Sequence, residues 1–273
     1  MPSRLDQIVA STRRKIAQSR AGSDLRQLER QAQNHSPRGF RQLVEASSLR
    51  GVSIIAEMKK ASPSRGLIRA DFDPARLARE LELAGASALS VLTDEEFFQG
   101  SLENLQQASA GTQLPCLRKD FIVDEFQLLE ARAYCADAVL LIAAVLSPAE
   151  LSTLANAARN HGLDVLCEVH DEEELQRAVD AGCDLIGVNS RDLRTFAVDL
   201  EAAFRLAPSI PKNVVRVAES GIQSGADIAR LRSAGYQAFL IGEALMRADS
   251  PGDALRTLIA EASSGQERVA SGQ

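Results

Sequence analysis

The sequence predicts one α/β domain, a (β/α)₈ TIM barrel with an N-terminal helical extension. Eight short apolar runs recur at intervals of roughly 25–30 residues, and helical patterns separate them, as in successive βα units. Polar residues follow many different runs, as they do at the mouth of a barrel. No GxGxxG turn follows the first run, which disfavours an open dinucleotide-binding sheet. The length of 273 residues suits one such domain.

The apolar runs are the predicted strands, because continuous apolar character is typical of parallel strands covered by helices. The strands are predicted at 52–56, 88–92, 114–117, 138–142, 164–167, 184–188, 214–217 and 238–241. Helices are predicted over 74–84, 147–162, 171–181 and 224–234. Gly85, Gly182 and Gly235 follow helical segments where a left-handed residue ends a helix.

The ends of the chain lie outside this repeat. Two apolar stripes in residues 1–49 predict helices that pack on the barrel, with its mouth as one place for them; their members are Leu5, Ile8, Val9, Ile16, Phe40, Leu43 and Val44. We therefore expect a helical extension at 1–49, the barrel at 50–262 and a disordered tail at 263–273.

Composition excludes several classes of protein. A net charge of −6 argues against nucleic acid as the main partner. The four cysteines form no CxxC pair, so we expect reduced, mostly buried thiols in a cytoplasmic protein. Neither a signal peptide nor an 18-residue apolar run is present in the sequence, so no membrane association is expected. The three histidines match no metal site, and His170 is interpreted as a bystander at the edge of the mouth.

Acidic, basic and amide side chains occupy the ends of five predicted strands. Because side chains alternate along a strand, residues two apart share a face, and at the C-terminal end that face points into the barrel mouth. A cluster of such charges is costly unless its members pair with each other or with a ligand, and it offers acid/base pairs. The candidate catalytic residues are Glu57, Lys59, Lys119, Glu168, Asn189 and Glu219.

Two glycine turns predict a phosphate site. Ser220 and Gly221 follow the seventh run and Gly242 follows the eighth, the loops that bind phosphate in many barrels, and Lys59 could add a charged contact. An apolar set could line a pocket for a planar ring, although ordinary packing at the barrel top would explain it equally well. Its members are Phe97, Phe98, Phe121, Leu140, Ile142 and Leu193.

Several motifs are similar to those of a known family. The most specific are IAEMKKASPSRG at 55–66, LRKDFIVDEFQ at 117–127 and IGVNSRDLRTF at 186–196. Others are LTDEEFFQGSL at 92–102, LCEVH at 166–170, VAESGI at 217–222 and FLIGEALM at 239–246. On these motifs the chain resembles the indole-3-glycerol-phosphate synthases of tryptophan biosynthesis, in their monofunctional form.

The resemblance implies a reaction and a role for each candidate. The substrate would be 1-(2-carboxyphenylamino)-1-deoxy-D-ribulose 5-phosphate, which undergoes ring closure, decarboxylation and dehydration without a cofactor or metal. Lys119 would be the general acid for ring closure. Glu168, Glu57 and Lys59 would be the candidates for the later proton transfers, and Asn189 and Glu219 would position the substrate hydroxyls and Lys119.

The resemblance also implies the binding contacts. Ser62, Gly221, Gly242 and the backbone of Glu243 would hold the phosphorylated substrate beside Ser220, and Arg191 would support the mouth through ion pairs. The anthranilate ring would contact Phe98, Phe121, Leu140, Ile142 and Leu193. Many members have Ser where this chain has Glu243, so we expect that side chain to face away from the phosphate while its N–H donates. Other tryptophan-pathway enzymes would be possible partners.

Three alternatives remain open at this point. An aldolase barrel would form a Schiff base on a buried lysine, which borohydride trapping of Lys119 would reveal. A phosphoribosylanthranilate isomerase-like barrel would be shorter and would need a Cys/Asp pair at strand ends. A barrel that only binds ligands would have lost the acid/base set that Glu57, Lys59, Lys119 and Glu168 provide.

Overall fold

The computed structural model describes residues 4–193, 195 and 197–270, with only the backbone described over 265–270. Eight parallel strands close into a barrel in which β1 pairs with both β2 and β8, so the predicted fold class is confirmed. The strands are β1 (Ser53–Met58), β2 (Ala88–Leu92), β3 (Cys116–Lys119), β4 (Ala138–Ile142), β5 (Asp164–Val169), β6 (Leu185–Asn189), β7 (Val215–Glu219) and β8 (Ala238–Ile241).

The strands reach further toward the mouth than the apolar runs suggested. The fifth run ended at Cys167, whereas β5 continues to Val169 because Glu168 remains in register with Ile142 on one side and Gly187 on the other. In the loop after β1, Ala61–Ser62 and Gly66–Leu67 form a short antiparallel pair that the sequence pattern did not reveal.

The N-terminal extension forms helices α1 (Arg4–Gly22), α2 (Leu25–Gln33) and α3 (Phe40–Arg50). Leu5 and Ile8 of α1 lie over the barrel mouth, where they join the interior apolar cluster. Phe40 and Val44 of α3 reach the same cluster from the N-terminal ends of the strands. The extension therefore contacts the barrel interior at both ends: α3 covers the N-terminal ends of the strands, and α1 lies along one side of the mouth.

Helices follow the strands; the longer ones pack on the outside of the barrel, and two four-residue helices lie at its mouth, where Phe98 and Glu243 line a cavity. The helices are α4 (Pro74–Leu83), α5 (Glu95–Phe98), α6 (Leu102–Ala110), α7 (Phe126–Ala133), α8 (Pro148–Asn160), α9 (Glu172–Asp180), α10 (Glu201–Leu206), α11 (Gly225–Ser233), α12 (Glu243–Met246) and α13 (Pro251–Ala270). Ser147 opens α8 with a capping box completed by Glu150. Gly85, Gly182 and Gly235 have the predicted left-handed conformation.

The C-terminal segment differs from the expectation. Helix α13 continues to Ala270, within the segment for which a disordered tail was expected. The hydroxyls of Ser263 and Ser264 donate to the carbonyls of Ile259 and Ala260, which joins the polar segment to the preceding helical turn. Residues 271–273 lie outside the described part of the chain.

A buried ion cluster holds the N-terminal extension against the barrel at the N-terminal ends of the strands. The carboxylate of Asp137, directly before β4, is fully buried. It accepts hydrogen bonds from Arg38 Nη2 at 2.6 Å, from the Cys116 backbone N–H at 2.6 Å and from His35 Nε2 at 3.1 Å. Because each interaction joins segments that are distant in sequence, this carboxylate holds the loop before α3 against β3 and β4.

Candidate active site

A cavity of about 750 Å³ opens at the C-terminal ends of the strands. Every candidate site residue from the sequence lies in its lining: Glu57, Lys59, Ser62, Phe98, Lys119, Phe121, Leu140, Ile142, Glu168, Asn189, Arg191, Leu193, Glu219, Ser220, Gly221, Gly242 and Glu243. Phe97 packs against the interior cluster that reaches this cavity. Barrel closure thus brings together residues that are up to 186 positions apart, from Glu57 to Glu243.

Lys119 is the centre of a charged network in the floor of the cavity. Its Nζ atom lies 2.7 Å from Glu168 Oε2 and 3.4 Å from Glu219 Oε2. Glu57 carries a third carboxylate nearby and accepts a hydrogen bond from Lys59 at 2.5 Å. All three carboxylates are buried, so their charges interact strongly with the two lysines.

Strand geometry explains why these side chains meet. Ile55, Leu117, Leu166 and Val217 belong to the barrel-interior cluster, and each lies two residues before a charged residue of the network. Alternation along the strand therefore turns the charged residue toward the same interior. The parity prediction is confirmed by this placement.

Two glycines make room for the carboxylates. A Cβ atom at Gly187 of β6 would lie 1.9 Å from Glu219 Oε1, and one at Gly242 would lie 2.3 Å from Glu57 Oε1. Any side chain at either position would displace a carboxylate of the network. Gly187 was not identified from the sequence, although a glycine within an apolar strand run is a signal of close approach.

The carboxyl groups in the network have different pKa values. Burial acts to raise the pKa of Glu168, but the positive charges of Lys119 and His170 outweigh it and lower the pKa to about 2. Burial raises the pKa of Glu219 to about 8, with Lys119 opposing and the charge of Glu168 adding to the rise. Glu168 is therefore the more acidic group and Glu219 the one that takes up a proton more readily, a division typical of proton-transfer sites.

Lys59 and Lys119, the two lysines of the network, each form an ion pair with a carboxylate. Burial acts to lower the pKa of Lys119, but Glu168, Glu219 and Glu57 outweigh it and raise the pKa above its ordinary range. For Glu57, burial acts to raise the pKa, and the charges of Lys59 and Lys119 lower it below the usual value. Lys119 is consequently an ammonium group held at a fixed place.

The loops after β7 and β8 form the polar side of the cavity. Ser220 and Gly221 both have positive φ angles, 63° and 80°. The Glu243 carboxylate is surrounded by Arg65 at 3.1 Å, Arg247 at 3.5 Å and Arg191 at 3.7 Å. Arg65 was missed from the sequence, because the loop after β1 meets helix α12 only when the barrel closes. Arg247 was missed as well, although its position four residues after Glu243 on a helix was a usable signal.

The opposite side of the cavity is apolar. Phe121 follows β3, Leu140 and Ile142 belong to β4, and Phe98 and Leu193 pack against them. Leu5 and Ile8 of α1 complete this wall, so the predicted N-terminal apolar stripe lies at the mouth. The cavity therefore offers an apolar surface across from a cluster of arginines and glycine turns.

His170 lies closer to the network than the sequence suggested. Its Nε2 atom is 3.6 Å from Glu168 Oε1, and its Nδ1 atom is 3.0 Å from Glu174 Oε2. Asn189 also contacts Glu168, and its side-chain oxygen accepts the backbone N–H of Arg191 at 3.0 Å. Glu168 is thus surrounded by groups that fix its position.

Across 4–193, 195 and 197–270, no group of three or more His, Cys, Asp or Glu side chains is arranged to hold a metal ion. Among the same residues, no helix is both long enough and apolar enough to cross a membrane.

Comparisons with known proteins agree with this geometry. The family model described as Indole-3-glycerol phosphate synthase matches residues 5–258. A protein of that name from Koribacter versatilis is 58% identical over 259 residues, which cover 95% of this chain and 100% of that protein. Another from Desulfotalea psychrophila is 50% identical over 255 residues, 93% of this chain and 97% of that protein. A solved mandelate oxidase structure with an FMN adduct, 19% identical, covers 80% of this chain and 73% of that one with a TM-score of 0.60, and shares the fold.

Proposed function

The chain belongs to the indole-3-glycerol phosphate synthase family, and we propose that Lys119, Glu168 and the glycine turns of its barrel mouth carry out the reaction. The enzyme is a carboxy-lyase of tryptophan biosynthesis. It converts 1-(2-carboxyphenylamino)-1-deoxy-D-ribulose 5-phosphate into indole-3-glycerol phosphate, carbon dioxide and water. The ammonium group of Lys119, buried among carboxylates between an apolar wall and an arginine cluster, supports this assignment of roles.

Ring closure requires an acid at the ribulose carbonyl. The ring carbon that bears the carboxylate attacks the carbonyl carbon, and the electron pair of the C=O bond moves to oxygen. That oxygen takes a proton from Lys119 Nζ and becomes a hydroxyl. Neighbouring carboxylates raise the pKa of Lys119, so its amino group is protonated and available as an acid. The transfer remains favourable despite the raised pKa, because an alkoxide is a much stronger base than an amine.

The later steps require bases and a second acid. Carbon dioxide leaves with cleavage of the bond between ring carbon and carboxylate, and the electron pair of that bond restores the aromatic ring. The hydroxyl then leaves as water after protonation, and a neighbouring C–H gives up a proton to complete the indole double bond. We assign the C–H proton to Glu168, which is ionised at neutral pH, and the protonation of the hydroxyl to Lys59 with its partner Glu57.

The remaining polar groups orient the substrate. Glu219 Oε1 is buried without a hydrogen-bond partner, and Asn189 lies beside it in register, so both can bind the ribulose hydroxyls. The phosphate would bind the N–H groups of Gly221, Gly242 and Glu243 near Ser62 and Ser220. Arg191 holds the Glu243 carboxylate aside by ion pairing.

Conversion of the substrate tests the proposed function directly. The purified protein is incubated with 1-(2-carboxyphenylamino)-1-deoxy-D-ribulose 5-phosphate, and formation of indole is followed by absorbance or fluorescence. We expect turnover without added metal or cofactor. Absence of the indole signal from a folded preparation would contradict the function.

The phosphate position is open to crystallographic test. We expect density for phosphate or sulfate against the N–H groups of Gly221, Gly242 and Glu243 in crystals grown with that ion or with the product. The reason is that backbone donors approach an anion closely at glycine turns after the seventh and eighth strands. Product density with the phosphate at a different pair of strands would refute the assignment.

The ring pocket predicts a ligand-dependent effect of Phe121→Ala. Phe121 is buried in the apolar wall, and removal of its ring should cost on the order of 1–3 kcal/mol, about 5- to 150-fold in affinity for an anthranilate-containing ligand. Glycerol phosphate should bind nearly as before, since it does not reach that wall. Titration with a reduced substrate analogue and with glycerol phosphate measures both affinities.

Phe204→Ala provides the matched control. Phe204 is a partly buried phenylalanine of α10 that contacts Arg230 away from the mouth, so its replacement should leave both affinities unchanged. Equal losses of both ligands in Phe121→Ala would mean that Phe121 supports the barrel top in general and that the ring-pocket assignment is wrong.

The proposal also covers the location of the enzyme, its domain organisation and its partners. We place it in the cytoplasm as a single barrel domain with a helical extension, acting on a small phosphorylated molecule rather than on nucleic acid or a membrane. Other enzymes of the tryptophan pathway are its proposed partners, because they produce its substrate and consume its product.

A further inference from the structure

His170 and Glu174 form a second layer behind Glu168. Glu168 uses Oε2 to contact Lys119, and its other oxygen, Oε1, faces His170 Nε2 at 3.6 Å. The opposite ring nitrogen, Nδ1, lies 3.0 Å from Glu174 Oε2. The three acidic and basic side chains are thus connected in one line from α9 to Lys119.

The orientation of the histidine ring is fixed by its neighbours. Glu174 Oε2 accepts both the Nδ1 contact and the backbone N–H of His170, the latter at 2.8 Å. The N–H of Glu174 in turn donates to the N-cap Asp171 at 2.8 Å, which holds Glu174 in the first turn of α9. Because an ionised glutamate only accepts hydrogen bonds, Nδ1 carries a proton.

The other ring nitrogen has no such partner. His170 Nε2 is buried and makes no hydrogen bond, because its separation from Glu168 Oε1 exceeds hydrogen-bond distance. A buried polar atom without a hydrogen-bond partner destabilises the folded state, so its presence calls for a functional explanation. Here it is aimed at the carboxylate that contacts Lys119.

We propose that His170 is a positioning residue of the reaction: Glu174 holds its protonated ring so that Nε2–H faces Glu168 and keeps that carboxylate ionised and oriented beside Lys119. The inference rests on the proposed role of Glu168 in proton transfer. It assigns His170 to the function, in contrast to the interpretation of this residue as a bystander.

The charges around His170 favour its protonated form. Glu168 of β5, Glu174 of α9 and Glu219 of β7 face the ring, and Lys119 of β3 binds the far side of Glu168. Burial acts to lower the pKa of His170, but the carboxylates outweigh it and raise the pKa above 6.5. As pH rises through this pKa, Nε2 loses its proton and presents a lone pair to Glu168, so kcat should fall on the alkaline side.

Two substitutions test the arrangement through the pH dependence of kcat. His170→Gln should lower kcat about ten- to a hundredfold, because a positive charge 3.6 Å from the buried Glu168 carboxylate is lost, and should remove the alkaline decline due to His170. KM should stay within about twofold, because His170 is placed behind Glu168 rather than against the substrate. Glu174→Gln should keep the decline but move it to lower pH, because one of the charges that stabilise protonated His170 is lost.

His161→Gln is the matched control. His161 caps the C-terminal end of α8, so its replacement should leave kcat and the pH profile unchanged. His170→Asn serves as a second variant if His170→Gln does not fold, as judged by thermal unfolding. A folded His170 variant with the parent's kcat and pH profile would overturn the inference, as would an unmoved alkaline limb in Glu174→Gln.

Glu168→Gln distinguishes this inference from the function on which it rests. Loss of turnover in Glu168→Gln together with normal His170 variants would contradict only the positioning role of His170. Full turnover in Glu168→Gln would contradict the proposed role of Glu168 itself.

Discussion

Lys119→Ala should reduce kcat by about 10²–10⁴-fold, because a positioned general acid contributes that much to a rate. The ammonium group also balances three buried carboxylates, so its removal should raise the pKa of Glu168, for which Lys119 supplies the largest stabilising charge. Steady-state kinetics with the carboxyphenylamino substrate give the effect on kcat. Far-ultraviolet circular dichroism and thermal unfolding establish that the barrel is intact.

Two further variants, Lys119→Met and Lys212→Ala, serve as controls for Lys119→Ala. Lys119→Met keeps most of the side-chain volume without the charge, so it should be as slow as Lys119→Ala if chemistry rather than packing is lost. Lys212 is exposed, and its replacement should leave turnover unchanged. Activity of Lys119→Ala within about threefold of the parent would refute the assignment of Lys119 as general acid.

Asp137→Asn should destabilise the fold by about 3–5 kcal/mol, the cost of breaking a buried ion pair by removing one partner. Its carboxylate contacts Arg38, His35 and the Cys116 N–H, and an amide would turn an NH₂ group toward these donors. Urea-induced unfolding at neutral pH measures the loss. Asp180→Asn, on the exposed end of α9, should change the free energy of unfolding by less than about 0.5 kcal/mol.

The effect of Asp137 should depend on pH in a defined direction. Burial acts to raise the pKa of Asp137, but hydrogen bonds from His35 and Arg38 outweigh it and lower the pKa below 3.8. A carboxyl group with a lowered pKa in the folded state stabilises the protein above its unfolded pKa and loses this contribution as pH falls through the folded value. The difference between parent and Asp137→Asn should therefore be constant near neutrality and shrink below about pH 4. A difference that grows in acid would contradict the assignment.

The fold and the direction of the site residues were predictable from local patterns. A strand of period two fixes which face each side chain occupies, so Glu57, Lys119, Glu168 and Glu219 could be assigned to the barrel interior before any contact was known. The glycine after each helix likewise reports a local backbone conformation. Strand ends were less predictable, because Glu168 continues β5 through pairing with neighbouring strands rather than through apolar character.

Partners across the barrel were beyond the reach of those patterns. Arg65 and Arg191 reach Glu243 from the loops after β1 and β6, and no sequence spacing links either of them to Glu243. Arg247 is different, because it lies four residues after Glu243 at the end of α12. His170 appeared peripheral in the sequence because the turn after β5 decides whether its ring faces solvent or the Glu168 carboxylate. Gly187 gave a signal within its strand, but the carboxylate that it accommodates comes from β7.

The sequence by itself determined the eightfold alternation of strands and helices, the residues that face the mouth and the family whose motifs they match. The tertiary structure alone decided which oxygen of Glu168 contacts Lys119 and which faces His170, and why the pKa of Glu168 is lowered while that of Glu219 is raised. The periodicity of strands and helices depends on residues that are close in sequence, so the amino-acid sequence is enough to reveal it. Charge states depend on burial and on distances of a few ångströms between strands, which exist only after the barrel has closed.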